Sequence, residues 1–351
     1  MIRIIFSFLI CIFAVTSFAC TTFCINKNGR IVFGRNYDWV TGAGIVCTNQ
    51  RGLYKTSFKT DDGATINWVS KYGSLTFNQY GKEFPTGGMN ENGLVVELMW
   101  LDETQYPKRD GRPAINVLQW IQYQLDNCSG TDEVIATDAL LRITSNGTPI
   151  HYLVADKKGN IASIEFLNGK MVVHRGNALP FPVLTNNTYE QSSQTATALL
   201  KKNNETSSGN NSLDRFVKAC SMIKQFNETN IDMPVTDYAF NILDKVSQGD
   251  YTKWSIVYDI SNKKIFFKTN SARDIKLMNL AGFDFSCNSF SKIFDMNQEG
   301  KGDITSKFIL PHKELKRKIL EQAITESSSQ VSISNKRKEE ILSYETAVKC
   351  K

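Results

Sequence analysis

The dipeptide Asn28-Gly29, set inside the stretch CTTFCINKNGRIVFGRNYDW (residues 20–39), constrains the fold of this chain more than any other feature. Both residue types tolerate positive φ, which a two-residue hairpin turn demands, and strand-forming residues flank them on each side. Pairing Lys27 with Arg30 and counting outward sets Cys20 opposite Tyr37. Side chains alternate with period two, so Arg35 and Tyr37 share the face that carries Cys20, and Asp38 falls just past the strand end. Gly34 is a position where a bulge would adjust this register.

The hairpin begins where a hydrophobic leader ends. Residues 1–19 read MIRIIFSFLICIFAVTSFA: a basic Arg3, an apolar run from Ile4 to Val15, and a small-x-small exit at Ser17 and Ala19. These are the parts of a secretory signal peptide. The run is shorter than the roughly 20 apolar residues of a membrane anchor, and no later stretch is long enough to span. The expectation is cleavage after Ala19 and export to the periplasm or the extracellular space, with no stable membrane insertion once the leader is removed. Cysteines stand at 11, 20, 24, 47, 128, 220, 287 and 350. Removing the leader leaves seven. With Cys20 set apart, six are available for disulfides, which export permits; otherwise they are small buried hydrophobes. No C-x-x-C pair or metal-ligand spacing occurs, and histidines are limited to His151, His174 and His312, so neither a metal site nor a papain-like Cys-His pair is indicated.

The 351 residues carry a net charge of +6, with much of the excess in Lys313–Lys318 and Lys336–Lys338. No aromatic-basic alternation accompanies these runs, so they read as solvated helical faces and not as a nucleic-acid surface. Further strands are predicted around 53–58, 65–70, 74–77, 94–99, 150–155, 161–166, 171–174, 254–259 and 264–268. The stretch TGGMNENG (86–93) reads as turn. Helices are predicted at 114–125 after Pro113, at 131–143 with Thr131 as cap, and at 188–201, 213–225 and 235–247. The polar stretch 201–212 is a loop. Strands at both ends with helices between and after them suggest one α+β domain of helix-covered sheets, residues 20–310, followed by a charged tail, 311–351, that is helical or frayed.

Trimming at Ala19 gives Cys20 both a thiol and a free α-amine. Their reference pKa values, near 8.5 and 8, are close enough for the amine to take the thiol proton. Arg35 would favour the thiolate by charge, and Asp38 would orient the amine. Such a site suits amide hydrolysis: the thiolate attacks the carbonyl, the ammonium protonates the leaving nitrogen, and water releases the acyl group. It needs no cofactor.

The opening stretch resembles the start of the choloylglycine hydrolase family, which includes penicillin V acylases and bile salt hydrolases. The family's cysteine, arginine and aspartate fall on Cys20, Arg35 and Asp38. GMNENGLVVELMW (88–100) is similar to the family's N-E-x-G-L segment, which places Trp100 where members usually carry an Asn or Tyr of the oxyanion site; a bulky indole there suits a substrate-binding wall. VLTNN (183–187) places Asn186 on the oxyanion-hole asparagine, and LDRFVKA (213–219) places Arg215 on the second active-site arginine. The resemblance spans about residues 20–290 and implies the four-layer αββα sandwich of N-terminal nucleophile hydrolases. It also implies a small-molecule N-acyl amide substrate, such as a conjugated bile salt, a penicillin V-type compound or an N-acyl homoserine lactone. The segment between Asn186 and Arg215 is shorter than in many members, where it helps tetramers assemble, so homo-oligomer formation stays open.

Each residue also has a plainer reading. Cys20 is a structural thiol or a lipidated cysteine, Arg35 and Asp38 are a surface ion pair, Asn186 is a turn residue, Arg215 a solvated first-turn residue, and Trp100 plain core. Together these make the alternative: a catalytically inactive exported binding protein, with or without a lipid anchor, for an amphipathic ligand.

Overall fold

The computed structural model describes residues 20–60, 63, 65–145, 147–201, 209–344 and 348–351. The leader, residues 1–19, and residues 202–208 of the polar loop lie outside the described residues. The hairpin forms strands β1 (Thr21–Lys27) and β2 (Arg30–Asp38). At its turn φ is +53° at Asn28 and +78° at Gly29, the left-handed pair of a type I′ turn. Lys27 faces Arg30 and Thr22 faces Arg35. The register runs unbroken through Gly34, so there is no bulge. Gly34 instead makes room for the facing Phe23, whose ring would meet a Cβ there at 2.3 Å.

Around this hairpin a seven-stranded sheet runs in the order Val183–Leu184, β1, β2, Thr252–Asp259, Lys264–Thr269, Lys276–Asn279, Gly302–Asp303. An eight-stranded sheet faces it, in the order Lys170–Arg175, Ile161–Leu167, Ile150–Ala155, Val95–Trp100, Pro85–Asn90, Ser74–Asn78, Ile45–Asn49, Ile293–Asp295. Helices α1 (Val117–Asn127) and α2 (Thr131–Ala136) cover the second sheet; α3 (Tyr189–Leu200), α4 (Ser212–Glu228) and α5 (Val235–Lys245) lie over the first. The result is the four-layer αββα sandwich. Between the sheets Phe33, Ile256, Tyr258 and Phe267 from one meet Val46, Phe77, Val95 and Met99 from the other, all fully buried. A separate cluster under α1 joins Trp120, Ile121 and Leu125 to Val96, Tyr152 and Ile164.

Strands Ile45–Asn49, Lys276–Asn279 and Ile293–Asp295 have no counterpart in the pattern reading, and three further elements depart from it, each because a tertiary partner outweighs local propensity. The glycine-rich stretch around residue 88 is a fully buried strand, Pro85–Asn90; its glycines provide clearance, since a Cβ at Gly87 would sit 2.0 Å from the Glu97 carboxylate. The first helix starts at Val117, because Ala114–Asn116 pairs parallel with Arg142–Thr144. Asn116 then caps the helix by accepting from the N–H groups of Leu118 and Gln119. The second helix stops at Ala136, and Thr131 is its first residue instead of its cap, with N–H and hydroxyl both bonded to Asp156.

Beyond the second sheet, residues 311–344 form two helices, α6 (Lys313–Glu326) and α7 (Asn335–Ser343). Their apolar side chains, Ile319, Leu320, Ala323, Ile341 and Leu342, cluster with Ala43, Ile45, Tyr80 and Phe84. Lys349–Cys350 pairs with Leu53 and Tyr54, and Cys287 is disulfide-bonded to Cys350. Cys20, Cys24, Cys47, Cys128 and Cys220 are buried and not disulfide-bonded.

Candidate active site

Cys20 immediately precedes β1 and is 4% exposed, with its thiol 3.8 Å from the carbonyl oxygen of Asp38. The uninterrupted hairpin register puts Tyr37 opposite it and Arg35 one pair further in, so the expected face is formed. Burial pushes the Cys20 thiol up, the nearby Asp38 charge adds to this, and the Arg35 and Arg215 charges pull it down. The thiol therefore needs a base of its own, in a field where two cations favour the thiolate.

Arg35 is wholly buried between the sheets. It lies over the Tyr37 ring at 4.7 Å, donates to the Thr86 carbonyl at 3.0 Å, and is ion-paired to Glu97. The other Glu97 oxygen accepts the Tyr258 hydroxyl. Glu97 is a residue that pattern reading passed over. Its signal was present: a lone charge in the apolar strand Val95–Trp100, on the same alternating face as Val95 and Met99.

Asp38 ends β2. Its Oδ1 accepts the hydroxyl of Thr252, which is brought opposite it by a shift of register between Thr252 and Trp254. Its Oδ2 is buried and has no hydrogen-bond partner among the described residues. Burial lifts the Asp38 carboxyl to about 7, moderated by the Thr252 hydrogen bond and by the Arg215 and Arg35 charges. A buried carboxylate with one open acceptor oxygen beside Cys20 is a receptor for a cation.

Asn186 and Arg215 come together although 29 positions separate them. Arg215 Nη2 donates to Asn186 Oδ1 at 2.9 Å, and Asn186 Nδ2 donates to the carbonyl of Trp100 at 2.9 Å. This leaves the second Nδ2 hydrogen to point elsewhere. Arg215 sits in the first turn of α4 above an Asn211–Asp214 capping box. Burial depresses its pKa, while the Asp38, Cys20 and Asp214 charges hold it up. The peptide before Asn186 is fixed from behind: the Thr185 carbonyl accepts from His151 Nε2 at 2.7 Å, and His151 Nδ1 faces Glu165 at 3.2 Å. Against its burial, hydrogen bonds from His151 and His174 hold the Glu165 carboxyl at about 2.

Trp100 directs its indole N–H to Asp102 at 2.5 Å, so the ring presents an apolar surface instead of a donor. It tilts against Trp39, ring centroids 6.0 Å apart. Both line a cavity of about 350 Å3 whose lining also includes Cys20, Tyr37 and Asp38. Among the described residues, no helix is long and apolar enough to cross a membrane.

The αββα sandwich is the fold of the N-terminal nucleophile hydrolases. Within that class the chain belongs to the linear amide C–N hydrolases, choloylglycine hydrolase family, whose profile matches residues 20–293. It is similar to a penicillin V acylase of Pectobacterium atrosepticum, 24% identical over 322 residues, covering 78% of this chain and 84% of that protein. Among solved structures it is similar to penicillin V acylase from Agrobacterium tumefaciens (TM-score 0.74, 24% identity, 84% of this chain and 98% of that one). A variant of conjugated bile acid hydrolase from Clostridium perfringens also matches (TM-score 0.64, 19% identity, 80% and 98%).

Proposed function

We propose that the chain is exported, loses its leader at Ala19, and hydrolyses N-acyl amides that carry an apolar acyl group, with the Cys20 thiolate as nucleophile and the Cys20 α-amine as base. The observation that carries this reading is the buried Asp38 carboxylate with its unpartnered Oδ2 beside Cys20. An ammonium on Cys20 supplies the cation that this oxygen lacks. The family shows linear amide C–N hydrolysis; export, the roles of individual residues and the acyl preference are our extension of it.

In this mechanism the amine takes the thiol proton, and Arg35 and Arg215 stabilise the resulting thiolate. The thiolate attacks the amide carbonyl. The free Nδ2 hydrogen of Asn186 meets the developing oxyanion, with Arg215 holding and polarising the amide from its oxygen side. One such preorganised donor is typically worth about 3–4 kcal/mol. The ammonium, oriented by Asp38, protonates the leaving nitrogen. Water, deprotonated by the same amine, then hydrolyses the thioester and restores the thiol. Trp39 and Trp100 flank the acyl group with apolar surface.

Cys20→Ala and Cys20→Ser variants test the reading against a panel of N-acyl amides. We expect Cys20→Ala to fold and to lose turnover completely. A Cys20→Ala protein that still turns over substrate would end the proposal.

A further inference from the structure

The cavity that Cys20 lines is also walled by residues beyond the stretch matched by the family profile. Val331 and Ile333, from the connection between α6 and α7, and Ile341, from α7, stand with Phe58 and Phe84 in its wall. The profile ends at residue 293. The part of the chain that reads as a charged tail therefore reaches the site.

We propose that the connection between α6 and α7 is the specificity-determining wall for the acyl group, and that it selects against acyl groups too bulky to end at Val331 and Ile333. The proposal rests on the acyl-amide hydrolase reading above and deepens it.

Three features make this segment a fixed wall. First, α6 and α7 are seated on the apolar cluster around Tyr80 and Phe84 and tied to each other by a bidentate pair, Arg317 to Glu339 at 2.7 and 2.9 Å. Second, hydrogen bonds join the wall to the cavity lining. The Trp39 indole donates to the Tyr80 hydroxyl at 3.0 Å, which donates to Ser327 at 3.0 Å, at the end of α6. The Tyr344 hydroxyl donates to the Thr56 carbonyl at 2.6 Å. Third, the chain end is held by strand pairing to Leu53 and Tyr54 and by the Cys287–Cys350 disulfide. A wall anchored on both sides of the connection discriminates by shape, because a larger acyl group displaces packed side chains instead of a free loop. Val331, Ile333, Ile341, Phe58 and Phe84 supply the apolar part of this wall, interleaved with Gln330, Ser332 and Arg337, the last over the Phe58 ring at 4.7 Å. The fitting occupant is an aryl or medium-length alkyl acyl group.

The test compares wild type with Ile333→Phe, which narrows the cavity, and Val331→Ala, which widens it. Each is assayed in the full mature chain on acetyl, hexanoyl and decanoyl p-nitroanilides, and by calorimetric titration with decanoate, the corresponding free acid. For Ile333→Phe we expect the ratio of kcat/KM for decanoyl over acetyl to fall about tenfold, mainly through KM, since a methylene or two in an apolar pocket is worth that much. The decanoate Kd should rise by a similar factor. For Val331→Ala the ratio should rise. Equal ratios in all three proteins, with equal decanoate affinity, would overturn the wall even if hydrolysis itself is confirmed. Changed decanoate affinity in a protein that hydrolyses none of the anilides would keep the wall and remove the hydrolase reading. A merely structural role would change all substrates by one factor and leave the ratio alone, which also overturns the proposal.

Discussion

Asp38 shows what the site costs the fold. A carboxyl lifted to about 7 from 3.8 binds its proton more tightly folded than unfolded. Its contribution to stability is therefore full below about pH 4 and is lost as the pH rises through about 7. At about 1.36 kcal/mol per pKa unit, the loss is on the order of 4 kcal/mol. This holds for the chain whose Cys20 nitrogen is still in a peptide bond. In the proposed mature form, an ammonium on Cys20 next to the carboxylate would remove the penalty. In an uncleaved form, Asp38→Asn should therefore be the more stable protein at pH 8 and should lose most of the fall in Tm between pH 5 and 8. Thermal melts across that range check it, and parallel profiles for the two proteins would contradict it. The residues of this centre were legible to different degrees. Alternation around one turn places Arg35 and Tyr37 on the Cys20 face. Asn186 and Arg215 were reached only through motif resemblance, because the hydrogen bond joining them depends on the packing of α4 against the strand Val183–Leu184. Thr252 could not be read at all, since it meets Asp38 from 214 positions away.

At the level of elements, one buried ion pair fastens the two sheets beneath the site. Arg35 in β2 and Glu97 in the strand Val95–Trp100 are both fully buried, and Gly87 keeps the space that the carboxylate needs. Removing one partner of such a pair strands the other charge in a medium that cannot solvate it, at a cost of about 3–5 kcal/mol. We expect Glu97→Gln to lose stability of that order in denaturant titration and to lose activity with it, because Arg35 also faces Cys20. A loss below about 1 kcal/mol would show that the pair is dispensable. The same region explains a misread element. Gly87 and Gly88 look like turn residues by composition, yet they lie in a central strand whose two neighbours in the same sheet, at Glu97 on one side and Leu75 and Thr76 on the other, leave no room for a Cβ. Close approach between neighbouring strands is a tertiary fact that local propensity does not carry. Strands with ordinary alternation and a short turn between them, such as Ile150–Ala155 and Ile161–Leu167, were read nearly to the residue.

On the scale of the whole molecule, the C-terminal segment changes the picture most. Its helices are highly charged, and only a narrow apolar stripe, chiefly Ile319, Leu320, Ala323, Ile341 and Leu342, shows that they cover something. The disulfide that holds the end of this segment spans 63 positions. Closing a loop of that size stabilises a fold by about 2–4 kcal/mol. Cys350→Ser should lower Tm, and reductant should bring wild type down to the same value without affecting the variant. If reductant leaves the wild-type Tm unchanged, the tether contributes nothing. The account as a whole depends on the nitrogen of residue 20. The most direct measurement is the intact mass of purified, active enzyme after brief exposure to an acylating substrate. The prediction is a chain that begins at Cys20, with a single acyl adduct on Cys20 that disappears as product forms. An active enzyme beginning at any other residue, or one with a blocked amino terminus, would contradict it.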